Sequence, residues 1–344
     1  MITIKDIAAA AGVSKSTVSR VLTNSGYVNE ETRSRIEEVI RRTGYQPSAS
    51  ARNLSKQMSS TIGVVVPELG NSFYTEVLAG ISDVVDEQDL TIIYCNTEND
   101  PAKEAKALET MVGQRVLGVI MAPSVDYSMP ERRKRLRTML DQLNAPVVLL
   151  DRVVEDLQLD SVQYDNFGAG YMAAKALIDA GNKRIGMITG DMDLKIGRDR
   201  YRGFVSAMKE CGLPILKEDI YQGDFSLETA YTLSCKLLDE EDPLPAVITC
   251  NNQSTLGLVR AVRERGLHFG EDLAMVGIDH IDILDIIDYC YSYVDRDTRE
   301  MGRQAMNALL ERIRDPQRPV HTVVMPCRKT LKGAEFCRRK EHDL

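Results

Sequence analysis

The sequence lacks the motifs by which most enzymes of its length announce themselves. It has no glycine-rich phosphate loop, no Gly-x-Ser-x-Gly elbow and no His-Glu-x-x-His pair. Its four histidines, at 268, 280, 321 and 342, show no metal-ligand spacing. Nothing assigns a nucleophile or a base, so an enzyme is disfavoured, and no cofactor or metal is expected. The seven cysteines, at 95, 211, 235, 250, 290, 327 and 337, include no Cys-x-x-Cys pair. They read as reduced thiols in a reducing compartment. No run of about 18 apolar residues occurs, and the first six residues, Met-Ile-Thr-Ile-Lys-Asp, open no basic and then apolar leader. The expectation is a soluble, cytoplasmic chain with no membrane partner.

What is present is unevenly charged. The whole chain has 43 Lys and Arg against 51 Asp and Glu, a net −8. Residues 1–58 carry nine basic and five acidic side chains, a net +4, which leaves −12 for the rest. A basic head on an acidic body points to a local polyanion contact. With 344 residues, 43% of them hydrophobic, two or three domains with sizeable cores are expected.

Three short helices open the chain. Ile4, Ile7, Ala8 and Ala11 share one helical face, and Gly12 breaks it. Ser14 N-caps a second helix through Leu22, with Val18, Val21 and Leu22 inward. Asn29 caps a third, with Glu30 and Glu31 complementing its dipole. Ile36, Val39 and Ile40 form its buried stripe, and Gly44 ends it. Residues 47–60 are a linker or hinge helix; the helix-capable stretch Ser48–Leu54 has one large apolar residue, Leu54, and such a short helix is marginal alone.

From Thr61 apolar strands alternate with helices of 10 to 15 residues. Strands are expected at Ile62–Val66, Thr91–Cys95, Val116–Met121, Val147–Leu150, Ser161–Tyr164, Arg184–Ile188, Ala246–Thr249 and Leu273–Val276. Helices are expected near 73–87, 102–112, 131–143, 168–180, 199–211, 227–239 and 253–265. This pattern predicts α/β architecture with two doubly wound parallel sheets. The last stretch adds a strand at Ser292–Val294, a helix at Thr298–Arg314 and a strand at His321–Met325. The expected first lobe is 61–161 plus 292–319, and the second is 162–291 plus 320–340.

The segment Ile4 to Leu22 has a helix–turn–helix plan. Its second helix exposes Lys15, Ser16, Ser19 and Arg20 while burying Val18 and Val21. Polar donors at the start of such a helix suit the acceptor-rich major groove, and Arg20 suits a guanine edge. Ser14, Thr17 and Ser19 suit phosphates, which position without specifying.

These residues resemble the lac-repressor family of regulators. The match runs through Ile4-Lys-Asp-Ile-Ala, Ala11-Gly-Val-Ser, Thr17-Val-Ser-Arg-Val, Thr32-Arg33, Gly44-Tyr45-Gln-Pro47, Ala51-Arg52-Asn-Leu54 and Ile62-Gly-Val-Val-Val-Pro67. Order and spacing hold to about residue 331. The resemblance implies a headpiece at 1–46, a hinge at 47–60 and a two-lobed, periplasmic-binding-protein-like domain at 61–344. It implies that Lys15, Ser16 and Arg20 read the major groove and that Asn29, Thr32 and Tyr45 anchor phosphates. It also implies a hinge helix containing Ala51, with Leu54 wedged into the minor groove. Thr23 stands where many relatives have asparagine, and Ser55 where some have lysine.

A two-lobed sheet protein binds ligands at the carboxyl ends of its strands. Phe73, Asp151, Arg152, Arg200, Asn252 and Asp279 sit just past strand ends or in the helices that follow. An aromatic stacking face with paired carboxylates and arginine fits a sugar-like effector. The resemblance carries that role to Phe73, Asp151, Arg200 and Asp279, with Asn252 and Arg152 beside them. Asp297 replaces a proline that many relatives carry in the last crossover. Asp279, Asp282, Asp285 and Asp288 read as the solvated face of an amphipathic helix rather than a calcium loop.

The expected partners are double-stranded operator DNA, a small sugar-like effector and a second copy of the chain. The expected mechanism is linkage between lobe closure and operator binding. One alternative is a catabolite-control regulator that answers to a phosphorylated carrier protein. Another is a solute-binding protein with no role in gene regulation.

Overall fold

A computed structural model describes residues 2–23, 25–45, 60–154 and 156–338. It comprises two compact units, residues 1–60 and 61–344. The expected hinge residues Ala51 and Leu54 lie outside the described residues.

The first unit holds α1 (Ile4–Ala10), α2 (Lys15–Thr23) and α3 (Glu30–Thr43). The N–H and hydroxyl of Thr3 both donate to Asp6 Oδ2, at 2.8 and 2.7 Å, fastening the first turn of α1. Gly12 makes the next turn at φ +64°, a conformation that costs glycine little. Asn29 Oδ1 accepts from Glu31 N–H at 2.8 Å, and Gly44 ends α3 in the left-handed region. Ile7, Ala8, Ala11, Val18, Val21, Ile36 and Val39 form the buried core, with Ile4, Leu22 and Ile40 partly covered.

The second unit has two six-stranded sheets. The first contains β1 (Thr61–Val66), β2 (Thr91–Asn96), β3 (Gly118–Met121), β4 (Val147–Leu150), β5 (Asp160–Tyr164) and β11 (Thr322–Met325). Their order is β11-β5-β4-β3-β1-β2, all parallel. The second contains β6 (Gly186–Ile188), β7 (Ile220–Tyr221), β8 (Ala246–Thr249), β9 (Ala274–Ile278), β10 (Ser292–Asp295) and β12 (Arg328–Thr330). Their order is β12-β10-β9-β8-β6-β7, parallel except for antiparallel β12.

Helices cover both faces of each sheet. In the first lobe α4 (Ser72–Glu87) and α12 (Thr298–Arg314) cover one face, and α5 (Pro101–Gln114) and α6 (Pro130–Leu143) the other. In the second, α7 (Asn166–Asp179) and α8 (Lys195–Glu210) face α9 (Leu227–Leu238) and α10 (Asn252–Glu264) across the sheet. Apolar residues of the central strands are therefore buried on both sides, as parallel sheets require. Among the described residues no helix is long and apolar enough to cross a membrane. All seven cysteines are free thiols.

Two expected lobe assignments are corrected. Ser292–Asp295 pairs with β9 and belongs to the second sheet, not the first. Thr322–Met325 pairs with β5 and belongs to the first sheet, which also keeps β5 through Tyr164. The chain thus crosses between lobes three times: after β5, after β10 and between β11 and β12. Asp297 does not disrupt the second crossing. Its Oδ1 accepts from Glu300 N–H at 2.9 Å and caps α12. The expected amphipathic helix after Asp279 shrinks to α11 (Asp282–Ile286), which buries Leu284 but exposes Ile283 and Ile286.

Each lobe is closed by the same glycine contact. A Cβ on Gly80 of α4 would sit 1.9 Å from Arg299 O of α12, and one on Gly302 would sit 2.0 Å from Val77 O. In the second lobe a Cβ on Gly203 of α8 would meet Phe167 O at 2.0 Å, and one on Gly170 of α7 would meet Arg200 O at 1.9 Å. Gly80→Ala is expected to destabilise the chain by about 3 kcal/mol, because backbone blocks the added methyl. Exposed Gly113, with open space around it, is the control. Gly113→Ala should gain about 0.5 kcal/mol from lost unfolded-state freedom. Denaturant midpoints check both.

Candidate DNA-reading face and effector cleft

In the first unit Lys15, Ser16 and Arg20 are exposed on α2. Thr17 and Ser19 are half-buried on the same helix. Ser14 Oγ accepts from Thr17 N–H at 3.2 Å and lies 2.7 Å from Ser16 Oγ and 2.8 Å from Thr17 Oγ1. The Ser14 hydroxyl therefore starts the helix as well as facing outward. Asn29 Oδ1 is likewise engaged as the α3 cap, which leaves its amide group as the outward donor. Thr32 is half-buried, and Tyr45 packs against the headpiece core. Tyr27, 90% exposed in the loop before α3, escaped the sequence reading. A lone aromatic in a polar loop carries no periodicity to mark it.

The cleft of the second unit lies between the carboxyl ends of the two sheets and encloses about 440 Å³. All six expected residues, Phe73, Asp151, Arg152, Arg200, Asn252 and Asp279, line it. Asp151 follows β4 and Asp279 follows β9, and these strands hold the same place in their two sheets. Both aspartates are buried, at φ +59° and +85°. Such strained positions persist where the surroundings over-determine them, often at ligand sites.

Asn252 ties the lobes together. Its Nδ2 donates to Asn71 Oδ1 at 2.8 Å and to Ser72 Oγ at 2.9 Å, and its own N–H donates to Asp279 Oδ2 at 3.2 Å. Arg198 reaches Asp126 of the first lobe at 3.1 Å. Arg152 stays within its own lobe, donating to Asn99 Oδ1 at 2.7 Å and to the carbonyls of Pro123 and Ser124.

Arg200 is almost fully buried. Its Nε donates to Asn166 Oδ1 at 2.9 Å, and its Nη1 donates to the Cys250 carbonyl. Burial pushes its pKa down. It forms one wall of the cleft while holding α7, α8 and β8 in register.

Phe73 is not the open stacking face that the sequence suggested. It is 5% exposed, and the guanidinium carbon of Arg296 lies 4.4 Å from its ring centroid. The aromatic that borders the cleft with more of its surface accessible is Phe225, held at φ +70°. Sequence reasoning missed Arg296 and Phe225 for one reason. Each sits in an irregular connection, and only the fold brings it to the cleft. Among the described residues no group of three or more His, Cys, Asp and Glu side chains is arranged to hold a metal.

Comparisons with known proteins agree with both units. Residues 3–48 match the model of bacterial regulatory proteins of the lacI family, and residues 174–333 match the periplasmic binding protein-like domain. The HTH-type transcriptional repressor PurR of Actinobacillus pleuropneumoniae serotype 3 (strain JL03) is 32% identical over 315 residues, covering 91% of this chain and 92% of its own. The chain belongs to the lacI family. It is a DNA-binding transcriptional repressor of that family, not an enzyme. A lac repressor dimer bound to operator and the anti-inducer ONPF shares its fold, with a TM-score of 0.83 at 22% identity over 97% of this chain and 99% of that one. The transcriptional regulator CelR in complex with cellobiose gives a TM-score of 0.72 at 25% identity, over 97% of this chain and 100% of that one.

In this lacI-family headpiece Ser14→Ala removes the acceptor for Thr17 N–H. The expected loss is about 1 kcal/mol of headpiece stability, with Ser14→Asp nearly neutral. Thermal unfolding followed by circular dichroism checks it.

Proposed function

We propose that this repressor binds a pseudo-palindromic operator as a homodimer in the cytoplasm and answers to a small, polyhydroxylated, sugar-like effector in the inter-lobe cleft. Lys15, Ser16 and Arg20 read base edges in the major groove. Ser14, Thr17, Ser19, Asn29, Thr32 and Tyr45 position the headpiece on phosphates, and Ala51 and Leu54 act in the hinge. A dimer follows from the geometry of helix–turn–helix readers, which address two half-sites one helical turn apart.

The observation that carries the effector reading is the paired placement of Asp151 and Asp279 at the cleft floor, with Asn252 and Arg200 beside them. A hydroxyl donates and accepts at once, so a polyol meets carboxylates and amides together. An anionic group would face Glu68, Asp126, Asp191, Asp193 and Asp224 around the same cleft. The CelR–cellobiose complex shows a relative of this fold with a sugar bound. Arg152 and Phe73 complete the lining, and Phe225 supplies the apolar face. Coupling to the operator is linkage: a ligand that prefers one lobe arrangement shifts the operator-binding equilibrium.

The test is a thermal-shift screen of sugars, sugar phosphates and nucleobases, with each hit assayed for its effect on operator affinity. A neutral sugar should stabilise the chain and change operator affinity. A hit list of phosphates or bases alone would sink the polyol assignment. For the headpiece, Arg20→Ala should flatten base preference at one position per half-site, by about 1–3 kcal/mol of discrimination. An unchanged preference in a randomised-site selection would contradict direct readout.

A further inference from the structure

We propose that Arg296 is a latch that holds the two lobes together before any effector arrives. Arg296 leaves the end of β10 in the second sheet, and its guanidinium lies between the lobes, against groups of both. Its guanidinium carbon lies 4.4 Å from the ring centroid of Phe73 and 5.0 Å from that of Tyr164. Both rings belong to the apolar core of the first lobe. Its Nη1 stands 3.4 Å from Asp151 Oδ1, also in the first lobe. On its own side, Nε and Nη2 both lie 2.5 Å from Asp279 Oδ1. A cation from one lobe is thus seated in an aromatic and carboxylate socket of the other.

The side chain is 3% exposed, so the contact is made out of water. A desolvated cation against aromatic faces is worth more than an exposed one. A buried ion pair broken from one side leaves an uncompensated charge, which is strongly unfavourable. Burial acts to lower the pKa of Arg296, but Asp279 and Asp151 outweigh it and raise the pKa. The group stays charged, and opening the lobes would strip it of two rings and one carboxylate together.

The latch also divides space. A second cavity of about 490 Å³ lies beside the crossovers, and Phe73, Asn252, Asp279 and Arg296 line it as well as the cleft. Those four residues are the partition between the two. An effector that binds Asp151 and Asp279 competes with the guanidinium. The signal is then the opening of a cleft that rests closed. That consequence rests on the proposed effector site, whereas the latch itself is testable with no effector present.

The experiment is hydrogen exchange on the full ligand-free chain, comparing the parent with Arg296→Gln, Arg296→Ala and Asp151→Asn. Arg296→Gln should exchange about tenfold faster in segments 71–74 and 250–254, with β3 and β8 unchanged. Asp151→Asn keeps the Arg296–Asp279 pair inside the second lobe and the two first-lobe rings in place, and removes only the charge of the carboxylate that meets Arg296 from across the cleft. It should raise exchange in the same segments. Millimolar guanidinium chloride should restore protection to Arg296→Ala by refilling the socket, and sodium chloride should not. Parent-like protection in both Arg296→Gln and Asp151→Asn overturns the latch. So does protection lost equally throughout both sheets, which would make Arg296 a support of the fold. Equal rescue by the two salts overturns the socket.

Discussion

The two sheets of the larger unit present their carboxyl ends to one gap, and three crossings of the chain hold them there. Each crossing exchanges an element. The helix after β5 packs on the second sheet, the helix after β10 packs on the first, and β11 and β12 are divided between them. The residues that follow β4, β8, β9 and β10 therefore meet across the cleft: Asp151, Asn252, Asp279 and Arg296. Without the exchange these side chains would belong to two separate domains.

The exchange is seated by a repeated device. Gly80 and Gly203 are each the ninth residue of their helix, and Gly302 and Gly170 are each the fifth of theirs. Their backbones touch where any side chain would intrude. The two lobes are thus the same construction made twice, with each lobe borrowing the other's crossover helix. At the cleft the symmetry ends. Asp165 and Asp297 each cap the helix that follows, but the residue before the first is Tyr164, which stays in the core of its own lobe, whereas the residue before the second is Arg296, which reaches the opposite lobe. A cation placed once in a doubled frame gives the cleft a direction.

Much of this was legible in advance. The headpiece core from Ile7 to Val39 follows from helical periodicity, because three short helices can bury only one stripe each. The central strands from Ile62 to Val276 follow from apolar runs, because parallel strands are covered on both faces. Strands β7 and β12 were not legible. The first has two residues, and the second, Arg328-Lys-Thr330, is an exposed polar edge. Phe73 lines the cleft, but as a buried ring against Arg296 rather than as the open stacking face expected of it. Its role depends on a residue more than 200 positions away in the chain.

The sequence by itself determined the class of the protein: a helix–turn–helix headpiece with Lys15, Ser16 and Arg20 exposed on its second helix, joined to a doubly wound α/β body. Local patterning suffices for that, because each helix or strand carries its own periodicity. Only the tertiary structure decided which sheet owns residues 292–295 and 322–325, and that Arg296 fills the socket beside Phe73. Sheet membership and cleft contacts depend on pairings between distant segments, and no local pattern records which partner a strand end will meet.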